Sequence, residues 1–128
     1  MAYRKPGRSV RAANRLMRRL RLVPVLAVPG RKTGRIQEVP INVLEHEGSR
    51  YLVSPRGETE WVRNLRAASS AELRRRSGSE PIAASEVPDD RKPDLIAAYR
   101  QRWDRETRAH WQALPDPADH PIFEIHPA

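Results

Sequence analysis

The sequence contains no cysteine among its 128 residues. This absence excludes disulfide bonds, a thiolate nucleophile and any cysteine-ligated zinc or iron–sulfur site, and it fits a reducing compartment. No run of about 18 apolar residues is present, so the sequence predicts no membrane-spanning helix. The N-terminus has no apolar stretch followed by a small-residue cleavage site, so we expect a cytoplasmic protein rather than a secreted one.

Several catalytic constellations are also missing. The spacing of the four histidines is not typical of a metal site; they are His46, His110, His120 and His126. No G-x-S-x-G nucleophile elbow occurs, and the carboxylates are scattered without an evident catalytic pair. If the protein is an enzyme, we therefore expect a bound cofactor to supply the chemistry.

What the sequence does contain is a large and uneven positive charge. Lysine and arginine number 24 against 16 aspartate and glutamate residues, which gives a net charge of +8. Residues 1–76 hold 18 of the basic and 6 of the acidic side chains, whereas residues 77–128 hold 6 and 10. This asymmetry predicts an anionic partner for the first part, such as a phosphate, a nucleic acid, a membrane surface or an acidic tail.

An N-terminal segment at 1–23 is predicted to contain an amphipathic helix at 8–22. Its apolar side chains recur at spacings of three and four and are Val10, Ala13, Leu16, Met17 and Leu20. Arginines occupy much of the remaining surface, and Pro24 ends the helix. Packing on the rest of the domain and docking on anionic lipid are both open roles for the apolar stripe.

Residues 24–128 are expected to complete a single domain of 1–128. The predicted strands lie at 25–28, 36–45, 51–53, 72–77, 81–87 and 122–125. The predicted helices lie at 59–68 and at about 90–103, and the second helix could continue through 104–114. Thr59 is expected to cap the first helix, and Asp89 or Asp90 the second. The first three strands are joined by tight turns and predict a meander. Because helices do not alternate regularly with strands, we predict an α+β fold with a mainly antiparallel sheet closed into a small barrel and flanking helices.

The turn from Gly30 to Arg35 is the first candidate binding element. Two glycines allow positive φ angles, so successive N–H groups could form an anion nest, and Arg31, Lys32 and Arg35 add charge. The spacing is not that of a phosphate-binding Walker A loop, and a strand follows rather than a helix. The alternative interpretation is a solvated hairpin turn.

A second candidate element, Ser54-Pro55-Arg56-Gly57, connects a strand to a helix. Ser54 could bond a phosphate and Arg56 could pair with it, while Gly57 permits close approach and the helix start supplies free N–H groups. Glu58 and Glu60 count against a phosphate here and suit ordinary interaction with the helix dipole. An ordinary strand-to-helix turn is the alternative.

Aromatic and amide side chains in the two helices form a third group. Trp61 could be core or ligand contact, and Asn64 could orient a ring carbonyl or bond locally. Tyr99 and Trp103 are four residues apart and share one helix face. They predict either core packing or a wall beside a planar ring.

Together these segments resemble the deazaflavin-dependent nitroreductase family of actinobacteria. The resemblance runs from about residue 22 to the end and rests on the segment Leu26–Arg35, Pro40 in its strand, Ser54 with Gly57, the segment Trp61–Ala67, and the closing His120–Ile125. It implies a split β-barrel that binds coenzyme F420 and passes a hydride from the reduced deazaflavin to a quinone or nitro compound. F420 carries a phosphodiester and a γ-glutamyl tail, so a basic N-terminal part suits it.

The resemblance also implies a set of binding residues. The implied cofactor-binding residues are Arg31, Lys32, Thr33, Gly34, Arg35, Pro40, Ser54, Pro55, Arg56, Gly57, Trp61 and Asn64. The chain departs from the best-known members in a shorter loop before Trp61 and in Pro55, which stands where a lysine is common; Arg56 could replace that charge. The tyrosine-rich substrate wall is reduced to Tyr99, with Trp103 nearby.

Other interpretations stay open at this stage. FMN is an alternative cofactor, and the chain could bind F420 or a flavin without turnover. A nucleic-acid-binding protein would suit the charge but lacks a helix-turn-helix or an RNA-recognition aromatic motif. The N-terminal helix could contact a membrane peripherally or lie over the cofactor tail, and the protein could be a monomer or a homodimer.

Overall fold

The structure, a computed structural model, describes residues 23–128. The predicted helix at 8–22 lies outside the described residues. The strands are β1 (Val25–Pro29), β2 (Ile36–Pro40), β3 (Val43–His46), β4 (Ser49–Val53), β5 (Ser70–Arg75), β6 (Gly78–Glu86) and β7 (Ile122–Pro127). The α-helices are α1 (Glu60–Ala68) and α2 (Lys92–Ala113), and short 3-10 helices lie at Asp89–Arg91 and Pro117–Asp119.

The seven strands form one antiparallel sheet in the order β2-β1-β5-β6-β7-β4-β3. Its two edge strands, β2 and β3, are joined by only Ile41 and Asn42. In a flat sheet these edges would lie about 29 Å apart, because neighbouring strands are about 4.8 Å apart. The short link spans about 10 Å at most, so the sheet must curl until its edges approach. The predicted α+β fold with a split, mainly antiparallel barrel is confirmed.

The predicted strand at 36–45 and the predicted meander are wrong. The chain breaks after Pro40, and β2 pairs with β1 whereas β3 pairs with β4, at opposite edges of the sheet. The Ile41 N–H still donates to the Pro24 carbonyl at 2.9 Å, one step beyond the Val25–Pro40 pair, so this residue remains bonded on the β1 side before the chain crosses to β3. Because the apolar alternation continues across this bend, the sequence pattern predicted one continuous strand.

Two apolar clusters place the helices. One lies under α1, which packs on β1, β5 and β6, and includes Leu26, Leu52, Val62, Leu65, Leu73, Ile82 and Phe123. The other lies under α2 and includes Leu44, Tyr51, Val53, Leu95, Tyr99, Trp111 and Ile122. All of these side chains are nearly inaccessible to water, so burying them supplies the main stabilisation of the fold.

The predicted helix caps are only partly correct. Thr59 has the extended backbone of an N-cap, but its hydroxyl accepts no hydrogen bond from the helix. The predicted cap of α2 by Asp89 or Asp90 is wrong, since Arg91 precedes the helix and Asp89 instead pairs with the Lys92 ammonium at 2.7 Å. A 3-10 turn occupies the predicted start, which shifts α2 two residues toward the C-terminus.

Helix α2 is kinked at Trp103, whose φ of −127° and ψ of 25° are not helical. The Thr107 hydroxyl donates to the Trp103 carbonyl at 2.6 Å, a bond of the type that bends helices. The helix continues beyond the kink to Ala113, as the sequence allowed. The kink lies beside the cleft described next.

Candidate functional site

A cleft of about 1020 Å³ lies between the two candidate turns, strand β2, the start of α1 and one face of α2. Nine of the twelve predicted binding residues line it, namely Arg31, Lys32, Thr33, Pro40, Ser54, Pro55, Arg56, Trp61 and Asn64. Tyr99 and Trp103 line the opposite side. The fold therefore brings the two separate turns and the aromatic pair to one space.

The first turn is closed by its own hydrogen bonds. The Gly30 N–H donates to the Arg35 carbonyl, and the Gly34 N–H to the Gly30 carbonyl, both at 2.8 Å. The Arg35 N–H donates to the Thr33 hydroxyl, and the Arg31 N–H to the Asn64 side chain. These four N–H groups are therefore engaged, and the predicted anion nest is wrong for them. The turn offers side-chain charge instead.

Asn64 ties this turn to α1. Its buried amide oxygen accepts from the Arg31 N–H at 3.0 Å and from the Arg31 guanidinium at 2.9 Å. The same guanidinium donates to the Glu60 carboxylate at 2.7 Å, which lowers the pKa of Glu60 below its ordinary value. Of the two roles left open for Asn64, the local bond is not formed, and its oxygen instead joins two distant segments. Arg31 is thereby bonded to two residues of α1 at the cleft wall.

The second turn is anchored through Ser54. Its N–H donates to the Pro121 carbonyl at 3.0 Å, and its buried hydroxyl donates to the Gly57 carbonyl at 2.6 Å. Gly57 has a φ of 86°, which a residue without Cβ adopts at no cost. Because the Ser54 proton is used within the turn, this hydroxyl retains only acceptor capacity, which does not suit the phosphate contact predicted from the sequence.

The start of α1 opens on the cleft beside a buried hydroxyl. Thr59 lines the cleft with 7% of its surface exposed, and its hydroxyl has no hydrogen-bond partner among the residues at 23–128. Orphan N–H groups of the first helical turn lie next to it in the chain. A buried hydroxyl without a partner costs free energy, so this position favours a ligand oxygen.

The acidic residues at this helix start do not oppose an anion as the sequence suggested. Glu58 pairs with Arg66, which also binds Glu86, and Glu58 does not line the cleft. Glu60 does line it, but its charge is matched by Arg31. Both carboxylates are therefore neutralised by guanidinium groups within the fold.

The cleft is less basic than the sequence predicted. Its cationic side chains are Arg31, Lys32 and Arg56, and its acidic ones are Glu38, Glu60 and Glu106. Glu38 pairs with Arg74 across the sheet at 3.2 Å. Lys32 is exposed, and no carboxylate of the described chain lies within ion-pair distance of its ammonium. Its charge is therefore available to an anion in the cleft.

The far wall is built by the aromatic face of α2. The rings of Tyr99 and Trp103 are 4.8 Å apart between centroids, and the Tyr99 hydroxyl accepts from the Asn42 amide at 3.1 Å. Burial raises the pKa of Tyr99 to about 12. Tyr99 therefore keeps its proton at neutral pH and remains a hydrogen-bond donor.

Three predicted residues, Gly34, Arg35 and Gly57, do not line the cleft. Their contribution lies in the shape of the two turns. The far wall also contains polar side chains that were not predicted, which are Asn42, Glu106, Thr107 and His110. Three of them follow Tyr99 and Trp103 at helical spacing, so the periodicity of α2 could have found them. Asn42 carried no such signal, because it lies in the unpredicted bend.

Within the described part of the chain, no group of three or more histidine and acidic side chains is arranged to hold a metal ion. No helix in that same part is long and apolar enough to cross a membrane.

Comparison with known proteins gives one family. A family model described as F420H(2)-dependent quinone reductase matches residues 2–115. A search of the curated proteins finds no match.

Solved structures share the fold. An F420-H2 dependent reductase is 16% identical with a TM-score of 0.60, over 80% of this chain and 92% of that one. An F420 reductase is 18% identical with a TM-score of 0.53, over 84% and 87%. A third, described as a domain-swapped dimer, is 14% identical with a TM-score of 0.60, over 94% and 100%.

Proposed function

Since this chain belongs to the F420H(2)-dependent quinone reductase family, we propose that its cleft binds coenzyme F420 and directs a hydride from the reduced cofactor to a quinone. The chain is an F420-dependent oxidoreductase with F420 as its cofactor. The proposal adds the place of binding, the residues that hold the cofactor and the class of acceptor.

The observation that carries the proposal is the convergence of two turns and one helix start on a single cleft. A phosphodiester with an acidic tail needs several donors spread over a length that one turn cannot cover. Lys32 from the first turn and Arg56 from the second supply charge, and the Thr59 hydroxyl with the start of α1 supplies uncharged donors. These residues fit the anionic part of F420.

Apolar side chains in the cleft favour binding of the ring system of F420. Val28, Val39 and Val53 line the same cleft, and Trp61 and the Tyr99–Trp103 pair add aromatic surface. A mostly apolar cleft with a few placed polar groups is typical of sites for planar cofactors. We assign to these side chains the exclusion of water from the reacting face.

The reduced deazaflavin, when bound, supplies the hydride, so no side chain needs to act as a nucleophile. The chain contributes binding, orientation and shelter from water. Tyr99 lines the cleft, and its hydroxyl keeps its proton at neutral pH. It is suited to donate a hydrogen bond to an acceptor oxygen, either of a quinone carbonyl or of a nitro group.

A binding isotherm of the full chain with F420, followed by the cofactor's fluorescence, tests the first step. FMN serves as the competing flavin. We expect saturable binding of F420 and weaker binding of FMN, because FMN lacks the acidic tail that Lys32 and Arg56 would contact. Absence of saturable F420 binding would contradict the proposed site.

Two variants of the same turn separate a local contact from general charge. Lys32 lines the cleft and Arg35 does not, although both carry one positive charge. We expect Lys32→Ala to weaken F420 binding about fivefold, equivalent to about 1 kcal/mol for one exposed charged contact, and Arg35→Ala to have a much smaller effect. Equal losses would show that the turn acts only through net charge.

Turnover identifies the acceptor. Oxidation of reduced F420 is followed with menadione and with a nitroaromatic compound, and we expect faster turnover of the quinone. F420 binding without turnover of either acceptor would favour a carrier, the alternative left open by the sequence. A salt-sensitive shift of DNA or RNA without F420 binding would favour the nucleic-acid alternative.

We place the enzyme in the cytoplasm, with peripheral membrane contact through residues 1–22, which are rich in arginine. A lipid-soluble quinone would be met at such a surface. Cosedimentation with anionic and with neutral vesicles tests this placement. The domain-swapped relative makes a homodimer the alternative to a monomer, and light scattering distinguishes them.

A further inference from the structure

Asn42 lies in the short link that joins the edge strands β2 and β3, and its side chain bonds to α2. The amide donates to the Tyr99 hydroxyl at 3.1 Å, although the two residues are 57 positions apart in the sequence. The link is held on both sides, because the Ile41 N–H donates to the Pro24 carbonyl and Val43 begins β3. Bonded backbone on each side of Asn42 therefore sets the position of its amide.

Packing fixes the ring of Tyr99. The residue is 3% exposed, and its ring centroid lies 4.8 Å from that of Trp103 and 6.0 Å from that of Trp111. The remaining freedom of the phenol is rotation of its O–H bond, and a hydroxyl proton turns to suit its neighbours. The Asn42 amide donates to a lone pair of the phenolic oxygen, so the phenol proton is directed away from Asn42.

This proton of Tyr99 has no acceptor in the described chain. The bond from Asn42 is the one hydrogen bond of the hydroxyl within residues 23–128, and the hydroxyl accepts it. A buried O–H group that donates to nothing costs free energy, so the fold favours an oxygen supplied by a ligand. Because Asn42 and Tyr99 both line the cleft, the ligand that meets this requirement is one bound there.

We propose that Asn42 is a positioning residue for Tyr99, whose amide occupies the phenolic oxygen so that the phenol proton is directed to an oxygen of the electron acceptor. The identity of this acceptor rests on the proposed function. A quinone that takes up a hydride gains an electron pair and a hydrogen, and one of its oxygens becomes anionic until a proton from solvent completes the hydroquinone. Tyr99 keeps its own proton and stabilises this developing charge by a hydrogen bond.

Two variants of Asn42 separate positioning from packing. Asn42→Asp has nearly the same shape, but its carboxylate accepts the phenol proton, whereas Asn42→Ala only removes the partner. With menadione as acceptor, we expect Asn42→Ala to lower kcat about fivefold, the equivalent of one neutral hydrogen bond. We expect Asn42→Asp to lower kcat further than Asn42→Ala, with the KM for reduced F420 unchanged in both. The opposite order would show that Asn42 acts through packing, and would overturn the proposal.

The charge that Asn42→Asp introduces is controlled by the Tyr99→Phe background. We expect Tyr99→Phe alone to lower kcat about 100-fold, as does removal of a donor to a developing oxyanion. Adding Asn42→Asp to Tyr99→Phe should cause no further loss, because the effect of Asn42 passes through the phenol. A further loss as large as that in the wild-type background would show a direct effect of charge and would contradict the positioning role.

Raman spectra of the full chain without cofactor test the hydrogen bond itself. The intensity ratio of the tyrosine Fermi doublet reports whether a phenol donates or accepts, and the difference between wild type and Tyr99→Phe isolates Tyr99. Tyr51, isolated by Tyr51→Phe, is the matched reference, because its hydroxyl accepts from the Arg91 guanidinium at 2.7 Å and a guanidinium only donates. We expect an accepting hydroxyl at Tyr99, and a donating one in Asn42→Asp.

A ratio typical of a phenol that only donates, found for Tyr99 in the wild type, would overturn the proposal. The spectra and the kinetics fail separately. If the wild type does not oxidise reduced F420 with any acceptor, the proposed function fails, and the spectra still decide whether Asn42 donates to Tyr99.

Discussion

Asn64 is the point at which the first turn is joined to α1, and its replacement by alanine gives the sharpest test of the site's construction. The Arg31 N–H loses a neutral acceptor, which costs about 1 kcal/mol. The guanidinium loses a second, charge-assisted contact but keeps Glu60, so we assign about 1 kcal/mol to that loss. Asn64→Ala should therefore lower the free energy of unfolding by about 2 kcal/mol.

This loss converts into a measurable shift. With an unfolding entropy of about 2.1 cal/mol/K per residue over 128 residues, 2 kcal/mol lowers Tm by about 7 °C. Urea unfolding followed by tryptophan fluorescence should show a lower midpoint and an unchanged m-value, because the amount of surface exposed on unfolding stays the same.

Glu60→Ala is the matched control in the same helix. It removes the other partner of the Arg31 guanidinium, but the Glu60 side chain is 69% exposed, so its ion pair contributes less than about 1 kcal/mol. We expect Asn64→Ala to be clearly the more destabilising of the two. A cost for Asn64→Ala within about 0.5 kcal/mol of zero, or equal to that of Glu60→Ala, would refute the assigned role of the amide.

Three further predictions concern other parts of the molecule. Burial raises the pKa of Tyr99 from 10.0 to about 12, so the fold favours the protonated hydroxyl. This contribution to the free energy of unfolding is fully present below pH 10 and is lost as the pH rises toward 12. Tyr99→Phe should remove this loss in urea unfolding at alkaline pH. Thr107→Val should cost about 2 kcal/mol in the same assay, because the Trp111 indole N–H loses its acceptor. Hydrogen bonding to Arg66 lowers the pKa of Glu86 below 4.5, so its stabilisation is present above that pH and lost on acidification; Glu86→Gln should reduce the acid sensitivity of unfolding.

Much of the local structure could be predicted, but the pairing of the strands could not. A short apolar run identified β1, and helical spacing identified α1 and α2, because both signals arise within one segment. The alternation of Val39, Ile41 and Val43 continues across the break between β2 and β3, so it gives no sign that the strand ends at Pro40. Only the pairing of β2 with β1 and of β3 with β4 shows that these two strands lie at opposite edges.

The candidate site shows the same division between local and distant information. The two turns could be recognised from glycine and charge, since those properties belong to a few successive residues. The contact of Asn64 with Arg31 joins residues 33 positions apart, so no local sequence pattern predicts it. The ion pair of Glu58 with Arg66 is likewise not visible in the sequence. Without it, the charge of Glu58 disfavours an anion at this turn.

The distribution of charge separates two kinds of recognition in this chain. Residues 1–22 hold eight basic and no acidic side chains, which equals the whole net charge of +8, so residues 23–128 are formally neutral. Within that neutral part, Arg50 and Arg74 are paired with glutamates across the sheet. The excess of positive charge that attracts an anion or an anionic surface over long range therefore lies in the first 22 residues. Selection of a particular anion in the cleft depends instead on a few placed donors, of which Lys32 and the Thr59 hydroxyl are without an ion-pair or hydrogen-bond partner in the described chain.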